Sequence, residues 1–226
     1  GAGTVSLTEN DEISLASIIR TDGDLTLNAG TNSISQTGAI SIADGLVSIT
    51  GGAITLEGAN VLGAVTVSSG AGTVSLTEND AISLAGITRT DGDLTLNAGT
   101  NSISQTEAIS IDDGLVSLTG GAITLEGANV LGAVTVTSGS GSISLAENDA
   151  ISVAVITRTD GDLSLSAGTN TISQSGAILV DDGAVSLSGG VITLEGANIL
   201  GAVSVTSGSG TVSLIENDGV TIAGID

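Results

Sequence analysis

Chemistry in this chain has to come from carboxylates, because little else is available. The sequence holds 25 Asp and Glu against three arginines, with no Lys, His or Cys. Asp91 and Asp93 flank a glycine, and Asp112 and Asp113 sit next to one another about one strand-turn-strand unit later. If the two stretches stack at one strand spacing of ~4.8 Å, four carboxylates crowd a single edge. A hard cation is what such an edge would take, since calcium is satisfied by six to eight oxygens. Calcium is thus the one ion to consider, and no cofactor is required. The pattern lacks an EF-hand loop and the Gly-Gly-x-Gly-x-Asp signature. The plain alternative is a solvated acidic edge partly neutralised by Arg89.

Catalysis finds less support. Paired aspartates on a β-helix are compatible with pectin-cleaving chemistry. Here no His or Lys supplies a general base or an anion anchor, and no aromatic residue gives a sugar a platform. The acids also recur along the chain, whereas an active site is singular. The expectation is a protein that is not an enzyme.

Three further polar positions recur. Asn79, Asn101 and Asn129 occur in Glu-Asn-Asp, Gly-Thr-Asn and Gly-Ala-Asn. Turn chemistry accounts for them, because Asn tolerates left-handed backbone and bonds to nearby main chain. The first two are expected at one corner, stacked. Arg20, Arg89 and Arg158 each precede Thr-Asp-Gly-Asp. Identical placement in every repeat predicts a local, exposed ion pair, worth only ~0–1 kcal/mol.

The elements that position these residues are written in the composition. Of 226 residues 34 are Gly, and the apolar set is Val, Ile, Leu and Ala with no Phe, Tyr, Trp, Met or Pro. Short branched side chains suit a narrow core of strands, and frequent glycines suit turns. A formal net charge of −22 disfavours nucleic acid and anionic membranes. No apolar run approaches the ~20 residues of a membrane span. With no leader and no initiator Met, the expectation is a mature or excised segment.

Self-similarity organises the whole chain as one solenoid. Residues 1–69 recur at 70–138 and 139–207, with a partial copy at 208–226. The first two copies differ at seven positions, among them Glu12/Ala81, Ala43/Asp112 and Ile49/Leu118. Within the second copy, glycines at Gly72, Gly92 and Gly114 open units of alternating apolar and Ser/Thr residues, and Gly141 opens the next copy. Alternation puts one set of side chains inside and the other in water. Each unit carries three short strands: Val74-Ser75-Leu76, Ile82-Ser83-Leu84 and Ile87-Thr88-Arg89 in the first of them. The prediction is an all-β, right-handed, three-sided parallel β-helix with three coils per 69-residue repeat, hence nine coils and a partial tenth. Val74, Leu76, Leu94, Leu96, Val116 and Leu118 point inward. The third coil, longest by this division, assigns Val134 to its third strand. Its extra residues, Glu126 to Gly132, should bulge, with Val130 and Leu131 folded back or exposed.

The phrase Gly92-Asp93-Leu94-Thr95-Leu96-Asn97-Ala98-Gly99, followed by Ile103 and Ala108-Ile109-Ser110, resembles the haemagglutinin repeat of filamentous adhesins of the two-partner-secretion type. The resemblance implies a secreted, extracellular, surface-attached fibre. The secretion domain of that family is absent here, and a 69-residue period is longer than its usual single-coil repeat. Partners implied are further copies of the same coil, in a longer chain or in an end-to-end filament, since uncapped coils template pairing. Neither a nucleic acid partner nor membrane insertion is expected, and no receptor is named by the sequence. A ligand-binding adhesin face is the alternative. Ice binding is another, on Thr135-Val136-Thr137, although Asp93 and Leu115 interrupt that face.

Overall fold

The computed structural model describes residues 3–226, so the first two residues of the repeat beginning at Gly1 lie outside it. Among the described residues there are 27 strands. They form sheets of 13, 12 and two strands, and every registered strand pair is parallel. The result is a parallel β-solenoid of about 11 turns.

Alternation does what the sequence predicts. Val74, Leu76, Leu94, Leu96, Val116 and Leu118 are all buried and stack in columns, with Val74 on Leu94 and Leu94 on Val116. Each buried aliphatic side chain contributes ~1.5–3 kcal/mol relative to exposure, and every turn adds several. The outward Ser and Thr residues stack likewise, as Ser75 on Thr95 on Ser117.

The next member of that column corrects the division into coils. Val116 is followed by Val134, with Ser117 on Thr135 and Thr119 on Thr137. Val134 therefore belongs to the first column, and the turns run 20, 22 and 18 residues rather than 20, 22 and 27. Three turns end at Val134, whereas the repeat-equivalent of Val74 is Ile143, nine residues further on. Ile143 stacks instead between Ile123 and Leu163. A 69-residue repeat is thus three turns and a fraction. Equivalent residues of successive repeats leave the rod on different sides, and the chain holds about 11 turns instead of nine and a part.

Glycine columns mark the corners. A Cβ on Gly92 would lie 2.5 Å from the Gly72 carbonyl oxygen, on Gly114 2.2 Å from that of Gly92, and on Gly132 1.8 Å from that of Gly114. Gly92 and Gly114 also have φ of 92° and 138°, which only glycine adopts without strain. The fourth glycine of this column is Gly132, not Gly141. Gly141 stands in a separate column, on Gly121.

Candidate functional site

The acidic corner forms as a place but not as a cluster. Strand Ile82–Asp91 turns a corner of the rod, pairing with Ile103–Gln105 through its first half and Ile109–Ile111 through its second. This brings Asp112 and Asp113 to the corner of Asp91 and Asp93 one turn later. All four are exposed. Two of them are already committed to main chain: Asp91 Oδ1 accepts from the Gly92 amide at 2.6 Å and Asp93 Oδ1 from the Leu115 amide at 2.9 Å. The Asp93 staple recurs as Asp24 to Leu46 and Asp162 to Ala184. Among the described residues no group of three or more Asp, Glu, His or Cys side chains is arranged to hold a metal ion.

The arginines are not exposed ion pairs. Arg89 is only 1% exposed and Arg158 3%. Each guanidinium fans out onto main-chain carbonyls. Arg89 donates to Asp93 at 2.5 Å, to Asp91 at 2.8 Å, and to Gly72 of the preceding turn. Arg158 repeats the pattern on Asp162, Asp160 and Gly141, and Arg20 on Asp22 and Gly3. Burial pulls the Arg89 pKa below its ordinary value, and Asp93 and Asp91 oppose the shift. Each arginine is a clamp that joins two turns at a glycine corner, its planar fork reaching several main-chain carbonyls at once.

The asparagines divide into two kinds. Asn101 Nδ2 donates to the Asn79 carbonyl at 3.0 Å, so these two do stack at one corner. No non-glycine residue among those described has positive φ, so hydrogen bonding rather than left-handed backbone explains them. Asn129 is different, being fully buried. Its Oδ1 accepts from Gln105 Nε2 at 2.8 Å and from the Ile109 amide at 2.9 Å. Its Nδ2 donates to Gln105 Oε1 at 2.9 Å, to the Leu125 carbonyl at 3.2 Å and to the Ala146 carbonyl at 3.0 Å. Asn60 with Gln36 and Asn198 with Gln174 repeat this pairing.

This polar spine corrects the expectation of a bulge at Glu126 to Gly132. The segment follows the rod. Val130 bridges to Ser110, Leu131 is buried, and the Asn129 carboxamide supplies bonds that an irregular backbone cannot make for itself. The turn after it adds an acid. Glu147 Oε2 accepts from the Leu131 amide at 3.1 Å, and Glu78 Oε2 from the Leu62 amide at 2.9 Å. Glu78 is 2% exposed and Glu147 5%. Burial pushes each carboxyl up to about 8, with the neighbouring Asp80 or Asp149 raising it further.

Open grooves also lie along the described residues. One of about 460 Å³ runs along Gln36–Ala39 and is completed by Thr55, Glu57, Gly58 and Ala59. Another of about 300 Å³ lies among Thr100, Gly121, Gly139, Ser140 and Thr159.

Fold and polar interior together define a tandem-repeat β-solenoid in which buried polar side chains fasten one turn to the next. The chain belongs to the DUF5649 family, repeats of unknown function, and matches it over residues 2–69, 71–138 and 140–218. No curated protein and no solved structure matches the chain.

Proposed function

We propose that this chain is a stretch of shaft: a stiff structural rod within an extracellular fibre or cell-surface filament, spacing whatever lies at its ends. The observation that carries this reading is continuity. Parallel pairing runs from Val5 to Ile225 and crosses each repeat boundary without a break. Such an array bends little and has no internal hinge between repeats. The clamps of Arg89 and the spine of Asn129 are spent on holding turns together. We also propose that it is not an enzyme, given exposed aspartates engaged with main-chain amides and a sequence without His or Lys. The winding in this reading is right-handed and three-sided, in keeping with the preference of parallel crossovers. The partners are further copies of the same coil.

Proteins of three, six and nine repeats test the reading by small-angle scattering. The expected result is a rod of constant cross-section that lengthens by ~16 Å per repeat, at one strand spacing per turn. A radius that grows while length stalls, or articulated beads, would contradict it. The second reading, an adhesin face, is favoured by the groove along Gln36–Ala39, which offers Glu57 and main-chain polar groups. Glycan or cell binding lost on Glu57→Ala would support that reading over the shaft.

A further inference from the structure

The Glu-Asn-Asp segments hold a buried acid that the shaft reading does not use. At Glu78, Oε2 is fixed by the Leu62 amide, while Oε1 is buried with no partner. Oδ1 of Asp80, two residues on, is likewise buried and unpartnered. The same arrangement stands at Glu147 and Asp149, with Oε2 on Leu131 and the other two oxygens orphaned. Two neighbouring carboxyl groups with orphaned oxygens out of water require something positive between them, because a buried unpaired charge is costly.

We propose that a single proton is shared between Glu78 and Asp80, and another between Glu147 and Asp149, and that this proton latches the Gly-Ala-Asn-Val-Leu-Gly loop of the preceding turn onto the rod. The latch is a carboxylic acid donating one hydrogen bond to a carboxylate. It keeps Glu78 Oε2 free to accept from Leu62 and so holds that loop against the turn that carries Glu78. Loss of the proton to solvent leaves a buried charge beside a partly buried one of the same sign, and the loop swings away to hydrate them.

The surroundings offer no competing partner. On the strand below, Ile54–Asn60, the only ionisable group is Glu57, which lies outside and accepts from Ser75 Oγ at 2.6 Å. The strand above, Leu94–Asn97, carries none, and Asp93 just before it belongs to the Arg89 corner. On the following strand, Ile82–Asp91, the charged groups are Arg89 and Asp91, both at that same corner. Asp80 is the charged group that acts on Glu78, as Asp149 is on Glu147. A third copy at Glu216 beside Asp218 is raised to about 7.

The sign of the pH effect follows. In the unfolded chain the Glu78 and Glu147 carboxyls titrate near 4.5, and in the folded rod near 8. Between those values the folded state holds protons that the unfolded state does not. The latch's contribution to stability is therefore full below about 4.5, falls as pH rises, and is lost above about 8. Exposed carboxylates are already ionised by ~pH 6, so the window from ~pH 6 to ~pH 9 belongs to the latch.

The experiment is a melting series on the full chain across that window, together with carboxyl ¹³C titration of the glutamates and hydrogen exchange at the Leu62 and Leu131 amides. The expected results are a Tm that declines from pH 6 to 9, two Glu carboxyls titrating near 8, and exchange at both amides that rises beyond its intrinsic base dependence. The triple variant E78Q/E147Q/E216Q, whose amide imitates the protonated acid, should lose the decline. A wild-type Tm that is flat across the window, or glutamates that all titrate in the ordinary range, would overturn the proposal whether or not the variant folds. A Tm at pH 7 raised by calcium or sodium at constant ionic strength would overturn it in favour of a bound cation.

Discussion

Gln105 and Asn129 face each other across one turn of the rod and exchange two hydrogen bonds, Nε2 to Oδ1 at 2.8 Å and Nδ2 to Oε1 at 2.9 Å. The pair replaces ladder bonds where the Glu126 to Gly132 segment is too irregular to make its own. Asn129→Leu fits the volume but strands Gln105, the Ile109 amide and the carbonyls of Leu125 and Ala146. At ~1–3 kcal/mol for each buried group left unsatisfied, the expected loss is several kcal/mol by urea denaturation. Gln105→Ala, whose site is only partly buried, should cost less. Equal and small effects would mean that water replaces the pair.

Arg89 gives a prediction in which the clamp and an exposed ion pair differ. Arg89→Met keeps the apolar stem but removes the donors to Gly72, Asp91 and Asp93. The expected destabilisation is ~2–4 kcal/mol. It should be nearly the same at low and at molar salt, because the partners are main-chain carbonyls. An exposed pair would instead lose its contribution as salt screens it. Arg89→Lys should behave almost as badly as Met, since an ammonium lacks the fork that spans several carbonyls.

Corner glycines separate two costs. Gly99 has φ of 58° and open space where a Cβ would go, so Gly99→Ala should cost only ~1 kcal/mol from backbone preference. Gly114→Ala would set its Cβ 2.2 Å from the Gly92 carbonyl oxygen, a contact with backbone that no side-chain rotation relieves. Melting curves of the two variants should differ by well over ~2 kcal/mol. Similar curves would mean that the turns are not held at one strand spacing at this corner.

Much of this was legible in the sequence, and the reasons why some was not are physical. Strict alternation placed Val74, Leu94 and Val116 in one column because a period of two has only two solutions. It failed after Val116 because Gly-Ala-Asn-Val-Leu-Gly breaks that period with adjacent apolar residues. Counting on from there reaches Gly141 as the next corner, where the rod uses Gly132. The signal for the spine was nonetheless present: counting by twos from Ile123 through Leu125 reaches Asn129, and from Val74 through Leu76 reaches Glu78. Both are polar residues on the inward phase. Their burial reads as an error in the pattern until a partner is seen, and Gln105 supplies it to Asn129 and the Leu62 amide to Glu78, each from another turn. Arg89 carries the same signal, since counting by twos from Ile87 reaches it, but an arginine before Thr-Asp-Gly-Asp describes an exposed pair equally well.

The central claim, that a 69-residue repeat is three turns and a fraction, is tested most directly by cysteine pairing in this cysteine-free chain. Ser117 and Thr135 are Cα partners on adjacent parallel strands, whereas Ser144 stacks on Thr124 in another column. Neighbouring strands ~4.8 Å apart lie within disulfide reach. Ser117→Cys with Thr135→Cys should cross-link on mild oxidation, read as a mass loss of two hydrogens and a linked peptide. Ser117→Cys with Ser144→Cys should remain reduced. Efficient linkage of the second pair and none of the first would mean that each repeat closes on whole turns, and would contradict the account.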